Sequence, residues 1–148
     1  MSDSTQLKFP ADRYYHSSNH MWAKETDENG EILVGIDALA LDSLGEIAYA
    51  SFVEINTEVK AGDSIGTLES AKMTTEIFSP ISGVVSAVND IVPETPLLIN
   101  EQPYGEGWLV VIRASAWEAE CADLISGEEI FEWSQNEIAR YETENNQN

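Results

Sequence analysis

Fifteen residues constrain this chain more than any other stretch: Gly66 to Pro80, two strand-like runs that flank Ala71-Lys72. The runs Thr67-Leu68-Glu69 and Thr74-Thr75-Glu76-Ile77-Phe78 are rich in the β-branched, aliphatic and aromatic residues that suit a pleated, half-buried surface. A hairpin built this way sets a lysine at or beside its tip with no acidic residue immediately adjoining it. An exposed lysine is ordinarily a solubilising group. Here lysines are scarce, because Lys and Arg together number only 7 among 148 residues.

The rest of the chain reads as short strands punctuated by turns. Tyr14-Tyr15 and Met21 to Thr26 are strands, and the turn Asp27-Glu28-Asn29-Gly30 carries Asn-Gly, the strongest short hairpin signal. Glu31 to Ile36 is the returning strand. Asp37 is placed to N-cap a short helix from Ala38 to Leu44, with Gly45 where a C′ glycine belongs. Glu46 to Val53 alternates as a strand does, and Lys60-Ala61-Gly62-Asp63 is a turn. Ser82-Gly83 leads into the strand Val84 to Val88, Leu97-Leu98-Ile99 reads as a brief extended piece, and Trp108 to Ile112 as the last strand. Ser115 is placed to cap a helix running through Leu124-Ile125. Ser126 and Glu129 have capping-box spacing before a second helix to about Tyr141, with Ile130, Trp133 and Ile138 inward. The fold class is therefore mainly β, a small sandwich or barrel with one short internal helix and C-terminal helices. Residues 1–11 read as a loose arm, 12–141 as one domain and 142–148 as a polar tail.

Charge and composition narrow the partners. A net charge of -20 makes nucleic acid and anionic membrane surfaces poor ones. No run approaches the roughly 18–20 apolar residues needed to span a bilayer. The N-terminus lacks a basic segment followed by an apolar one, so the expected location is the cytoplasm. The lone Cys121 excludes an internal disulfide, and its acidic neighbours disfavour the thiolate. His16 and His20 are four apart, but the surrounding pattern is not helical and nothing completes a metal site. Neither a Ser-His-Asp set nor a phosphate-binding glycine motif is present.

The spaced set Glu69-Ser70-Ala71-Lys72, Ser79-Pro80-Ile81-Ser82-Gly83 and Asn100 to Leu109, preceded by His20-Met21-Trp22 and Val34-Gly35-Ile36, resembles the glycine cleavage H-protein family. The resemblance runs from about Tyr14 to the last helix. It implies a barrel-sandwich hybrid fold, a non-catalytic carrier, and lipoic acid joined by an amide bond to Lys72. About ten bonds of roughly 1.5 Å give such an arm a reach on the order of 12–15 Å. The implied partners are a lipoate ligase or lipoyl transferase, dihydrolipoamide dehydrogenase, and the enzymes between which a monomeric carrier moves its cargo.

By the same resemblance, Glu69 matches the acidic residue before the modified lysine, and Glu76 lies on the surface that accepts the loaded arm. His20 borders the arm's groove, and Gly62 and Gly83 turn the chain on either side of Lys72. Met21 is a departure, since the family places a glutamate there to hold the amino end of the cargo, and a thioether cannot pair with an ammonium. That departure tilts the reading toward an H-like lipoate-binding protein of sulfur oxidation, serving a heterodisulfide-reductase-like complex. The alternative is a glycine cleavage H protein working between glycine decarboxylase and aminomethyltransferase. An enzyme or ligand-binding domain with an unmodified Lys72, and a biotinyl carrier, are the rivals outside the family. Biotinyl domains place Met on both sides of the lysine, whereas here only Met73 is present.

Overall fold

In a computed structural model of the protein, residues 7–146 are described; residues 1–6 of the predicted arm and the last two of the tail lie outside them. Among the described residues, nine strands form two antiparallel sheets: β1 (Tyr14–Tyr15), β2 (Met21–Glu25), β3 (Glu31–Ile36), β4 (Ile47–Phe52), β5 (Glu58–Val59), β6 (Ser64–Ser70), β7 (Thr74–Phe78), β8 (Gly83–Val88) and β9 (Val110–Ala114). The larger sheet has the order β1-β2-β3-β9-β8-β5 and the smaller β4-β6-β7. Their inner faces meet over a core that includes Ile32, Val34, Ile65, Leu68, Ile77, Ile81, Val85 and Ile112. Neither sheet closes on itself, so the architecture is an open sandwich rather than a closed barrel.

The smaller sheet carries the hairpin. Strands β6 and β7 pair from Ser64↔Phe78 to Glu69↔Thr74, with one irregularity between Ser64 and Gly66. Alternation puts Leu68 and Ile77 inside and leaves Glu69, Thr74 and Glu76 in water, while the irregularity between Ser64 and Gly66 lets Ile65, three residues before Leu68, face inward as well. A Cβ at Gly66 would run into the backbone carbonyl of Ser51, so glycine is required where β4 crowds the bulge.

Helix α1 (Ala38–Leu44) spans the predicted residues and is capped as predicted. The Asp37 carboxylate accepts from the Ala40 N–H at 3.0 Å, and Gly45, at φ 84°, donates its N–H to Leu41 O. The Asn100 side chain ties the end of α1 to β4. It accepts from Ile47 N–H at 2.8 Å and donates to Gly45 O at 2.9 Å.

Several predicted elements differ. Leu97–Glu101 is a short helix, α2, rather than an extended piece. An apolar trio does not distinguish strand from helix by itself, and here Pro93, Pro96 and the Ile91–Thr95 turn bonds feed a helical entry. The two-residue β5 is an addition to the predicted elements; it pairs with β8 by Glu58↔Val84 and Val59↔Gly83. Strand β9 begins at Val110, not Trp108. Ser115 caps nothing: α3 (Trp117–Glu120) starts after Ala116 and runs into a 3-10 turn, Cys121–Asp123. Helix α4 (Glu129–Asn146) is longer than predicted. At its start the Glu129 N–H donates to the Ser126 backbone carbonyl at 3.2 Å, in place of the reciprocal side-chain bonds of a capping box.

The first turns of α4 dock on a second apolar cluster of Tyr15, Trp22 and Ile130, flanked by Trp108 and Trp133. Phe9, within the predicted arm, packs edge-on against Tyr15 and Trp133 at 5.6 and 5.4 Å. Among the described residues, no helix is long and apolar enough to cross a membrane.

Candidate functional site

Lys72 stands exposed at the turn of the β6–β7 hairpin. Ser70 builds that turn. Its N–H donates to Met73 O at 2.9 Å, while its hydroxyl accepts from the N–H groups of Lys72 at 3.2 Å and Met73 at 3.4 Å. A short hydroxyl side chain that satisfies backbone donors two and three residues on is a turn-forming device. The lysine is thus presented on a hydrogen-bonded turn with an exposed side chain. Its Nζ lies 3.4 Å from Ser43 O at the end of α1, and the Gly45 Cα faces the Lys72 stem.

Ser43 and the neighbouring Met73 line a groove of about 310 Å³, which Lys72 borders without lining it. One wall is Met73 of the hairpin turn with Thr75 and Glu76 of β7; the floor is α1, through Leu39, Ala40, Ser43 and Leu44. The far side combines the Ser18–His20 turn with the outer turns of α4, through Glu137, Arg140, Tyr141 and Glu144. Three carboxylates, Glu76, Glu137 and Glu144, face one guanidinium, Arg140, and one imidazole, His20. The groove is acidic in either protonation state of that histidine.

His20 is the hinge of the far side. It sits at φ 60°, an uncommon conformation for a residue other than glycine. Its Nδ1 lies 2.6 Å from Asp37 Oδ2 and its Nε2 2.8 Å from Glu137 Oε1. The ring stacks on Trp133 at 5.3 Å. With a carboxylate at each ring nitrogen, only the imidazolium donates to both. Burial disfavours that charge, but the hydrogen bonds and charges of Asp37 and Glu137 outweigh it and hold His20 above its ordinary value. Burial raises the Asp37 carboxyl, and the bonds from His20 and Ala40 pull it only part of the way back.

The predicted site residues divide. His20 and Glu76 line the groove beside Lys72. Glu69 is exposed on β6 next to the turn but does not line it. Gly62 and Gly83 lie at the opposite end of the hairpin: Gly62, at φ 95°, donates to Ser79 O, and Gly83 is pressed against the Arg113 carbonyl. Their role is in the turns and strand packing there, away from the lysine. Met21 is 1% exposed and packed in the main core, so its lack of charge removes nothing from the groove wall. Glu137, Arg140 and Tyr141 were missed. No local signal marks them, because they meet the hairpin only through the packing of α4. His16 does not join His20: its Nδ1 accepts from the N–H groups of Ser18 and Asn19. Among the described residues no cluster could hold a metal ion.

A two-sheet sandwich that fixes one exposed lysine at a hairpin tip, over an acidic groove, has the architecture of a barrel-sandwich carrier domain. The comparisons agree. Residues 13–137 match the family described as "Glycine cleavage H-protein". The glycine cleavage system H protein of Legionella pneumophila (strain Corby) is 42% identical over 123 residues, which is 83% of this chain and 93% of that one. That of Gloeobacter violaceus is 35% identical over 126 residues, covering 85% and 95%. Among solved structures, a glycine cleavage system H protein from Mycobacterium marinum superposes with a TM-score of 0.75 at 28% identity, covering 87% of this chain and 98% of that one. The chain belongs to the glycine cleavage H-protein family.

Proposed function

We propose that this protein is a non-catalytic lipoyl carrier of the glycine cleavage system, with the lipoyl group amide-linked to Lys72. The observation that carries the glycine reading over the sulfur reading is the charge of the groove. Acylation of Lys72 removes the ammonium group nearest to it. Three glutamates then face Arg140 and His20, an environment that favours a cargo ending in an amine and repels an oxidised sulfur anion. Met21 gives the sulfur reading no support, because its side chain lies in the core. The names of the relatives support the same choice.

The residues present fit the group. The hairpin turn is rigid and holds no partner charge against Lys72. The groove next to it offers the apolar side chains Leu39, Leu44 and Met73 to an aliphatic arm and carboxylates beyond them. When bound, the lipoyl group supplies a dithiolane whose opening accepts the one-carbon amine of glycine and whose reclosure is an oxidation. The protein's share is to present, seat and shield. Ser70 fixes the approach of Lys72 to a lipoate ligase or lipoyl transferase, Glu69 and Met73 flank that approach, and Glu76 meets the amine from β7. Glycine decarboxylase, aminomethyltransferase and dihydrolipoamide dehydrogenase are the partners. Release of labelled carbon dioxide from carboxyl-labelled glycine by the decarboxylase tests the reading. Lipoylated wild-type protein should stimulate it, and Lys72→Arg protein treated with the same ligase should not. Equal stimulation by both would place the carrier site elsewhere.

A further inference from the structure

The outer half of α4 is held differently from its inner half. Ile130, Ser134 and Ile138 recur every four residues and are buried, at 3%, 4% and 7% exposure, and Ile130 and Trp133 fix the first turns to the aromatic cluster. After Ile138 no further residue of the helix is buried among those described. Yet Arg140, Tyr141 and Glu144 line the groove. The side-chain bonds that bring these turns to the body of the protein are polar. Glu137 Oε1 takes His20 Nε2 at 2.8 Å, and the Tyr141 hydroxyl donates to Asp42 Oδ2 at 2.9 Å. Glu137 and Tyr141 are four apart, on one helical face, and both lead to α1. The first leads there through His20 and the capping Asp37, the second through Asp42 directly.

We propose that Glu137 and Tyr141 are positioning residues that hold the outer turns of α4 as the removable side wall of the groove, so that an arm reaching from Lys72 is covered while they are bonded and opened to solvent when they are not. The covering half rests on Lys72 carrying the arm; the tethering half does not. A wall held by burial would open only with the fold. A wall bonded through part-exposed polar side chains such as Glu137 and Tyr141 opens locally and at lower cost, as parts that must admit and release a ligand do. The His20 tether is also the titratable one. Its imidazole faces Asp37 from the cap of α1, Glu137 and the Glu137-bound Arg140 from α4, and His16 from its own loop. Loss of its proton leaves one carboxylate opposite a lone pair, so the wall loosens as pH rises.

The test compares wild type with the double variant Glu137→Gln, Tyr141→Phe, each unmodified and each lipoylated. On unmodified protein, amide hydrogen exchange at residues 141–144 should be at least about five-fold faster in the variant, the effect of one lost part-exposed hydrogen bond. Residues 130–134 should be unchanged. Corrected for intrinsic rates, exchange in the outer turns of wild type should rise as pH passes above the His20 transition, and the variant should lack that rise. On lipoylated, reduced protein, alkylation of the dithiol by iodoacetamide should be several-fold faster in the variant, while the lipoylation rate itself is the same. Outer-turn exchange that is equal in both proteins would overturn the tether. Faster exchange with unchanged alkylation would overturn the cover. Failure of wild type to accept lipoate at Lys72 would instead remove the carrier reading and leave the exchange result standing.

Discussion

His20 Nε2 lies 2.8 Å from Glu137 Oε1, and 117 positions separate the two residues in the chain. That one contact joins the turn before β2 to the C-terminal helix and closes one side of the groove beside Lys72. Its strength depends on a proton. The folded His20 is raised above its ordinary 6.5, so the stability it contributes is fully present below about that pH. It is lost as pH rises through the folded value. An NMR titration of the ring carbon protons should give a transition above 6.5, and chemical denaturation should show stability falling through the same window. A transition below 6.5 would contradict the arrangement.

Asp37 serves two groups at once, capping α1 through Oδ1 and holding His20 through Oδ2. Asp37→Ala should cost about 1–2 kcal/mol for the cap alone. It should cost more in total, because a part-buried imidazole loses a partner. Asp37→Asn is the finer probe: it keeps a cap acceptor and lowers the His20 transition. Urea denaturation and the same NMR titration read the two effects separately.

Gly66 is required by space. The backbone carbonyl of Ser51 and the ring of Phe52 occupy the place of a Cβ, and backbone cannot step aside as a flexible side chain can. Gly66→Ala should destabilise the protein by about 1–3 kcal/mol, as overpacking does. Gly62→Ala meets no neighbour and pays only for its positive φ, roughly 1 kcal/mol. Thermal denaturation of the two variants side by side distinguishes crowding from backbone strain.

The Lys72 side chain is exposed and makes one hydrogen bond, to Ser43 O at 3.4 Å. Lys72→Arg should leave the melting temperature within about 2 °C, since surface substitutions usually stay within about 0.5 kcal/mol. Intact-mass spectrometry after treatment with a lipoate ligase should show no added mass on the variant. A lipoylated Lys72→Arg protein would contradict the assignment of the attachment site.

The sequence discloses what short-range chemistry decides. The β6–β7 hairpin, α1 with its Asp37 cap and Gly45 terminus, and the Asn29-Gly30 turn are all written in neighbouring residues, and the structure has them at the predicted positions. Lys72, His20 and Glu76 could be picked out because the motif segments carrying them stay together in space. What long-range packing decides was not legible. Strand β5 exists because Glu58 and Val59 find β8, and Glu137 belongs to the groove because α4 folds back over α1. Met21 misled for the same reason: its neighbours in sequence, His20 and Trp22, border the groove and the aromatic cluster, while its own side chain points into the core.

The most direct test of the central claim is the mass of the Lys72 peptide. Lipoylated protein is incubated with glycine and glycine decarboxylase, quenched, digested and analysed by mass spectrometry. The account predicts a glycine-derived one-carbon amine on the arm at Lys72, formed in wild type and markedly slowed by Glu76→Gln and by Glu137→Gln. A Lys72 that is fully lipoylated and never acquires that mass would contradict the glycine assignment and leave a lipoyl carrier for some other cargo.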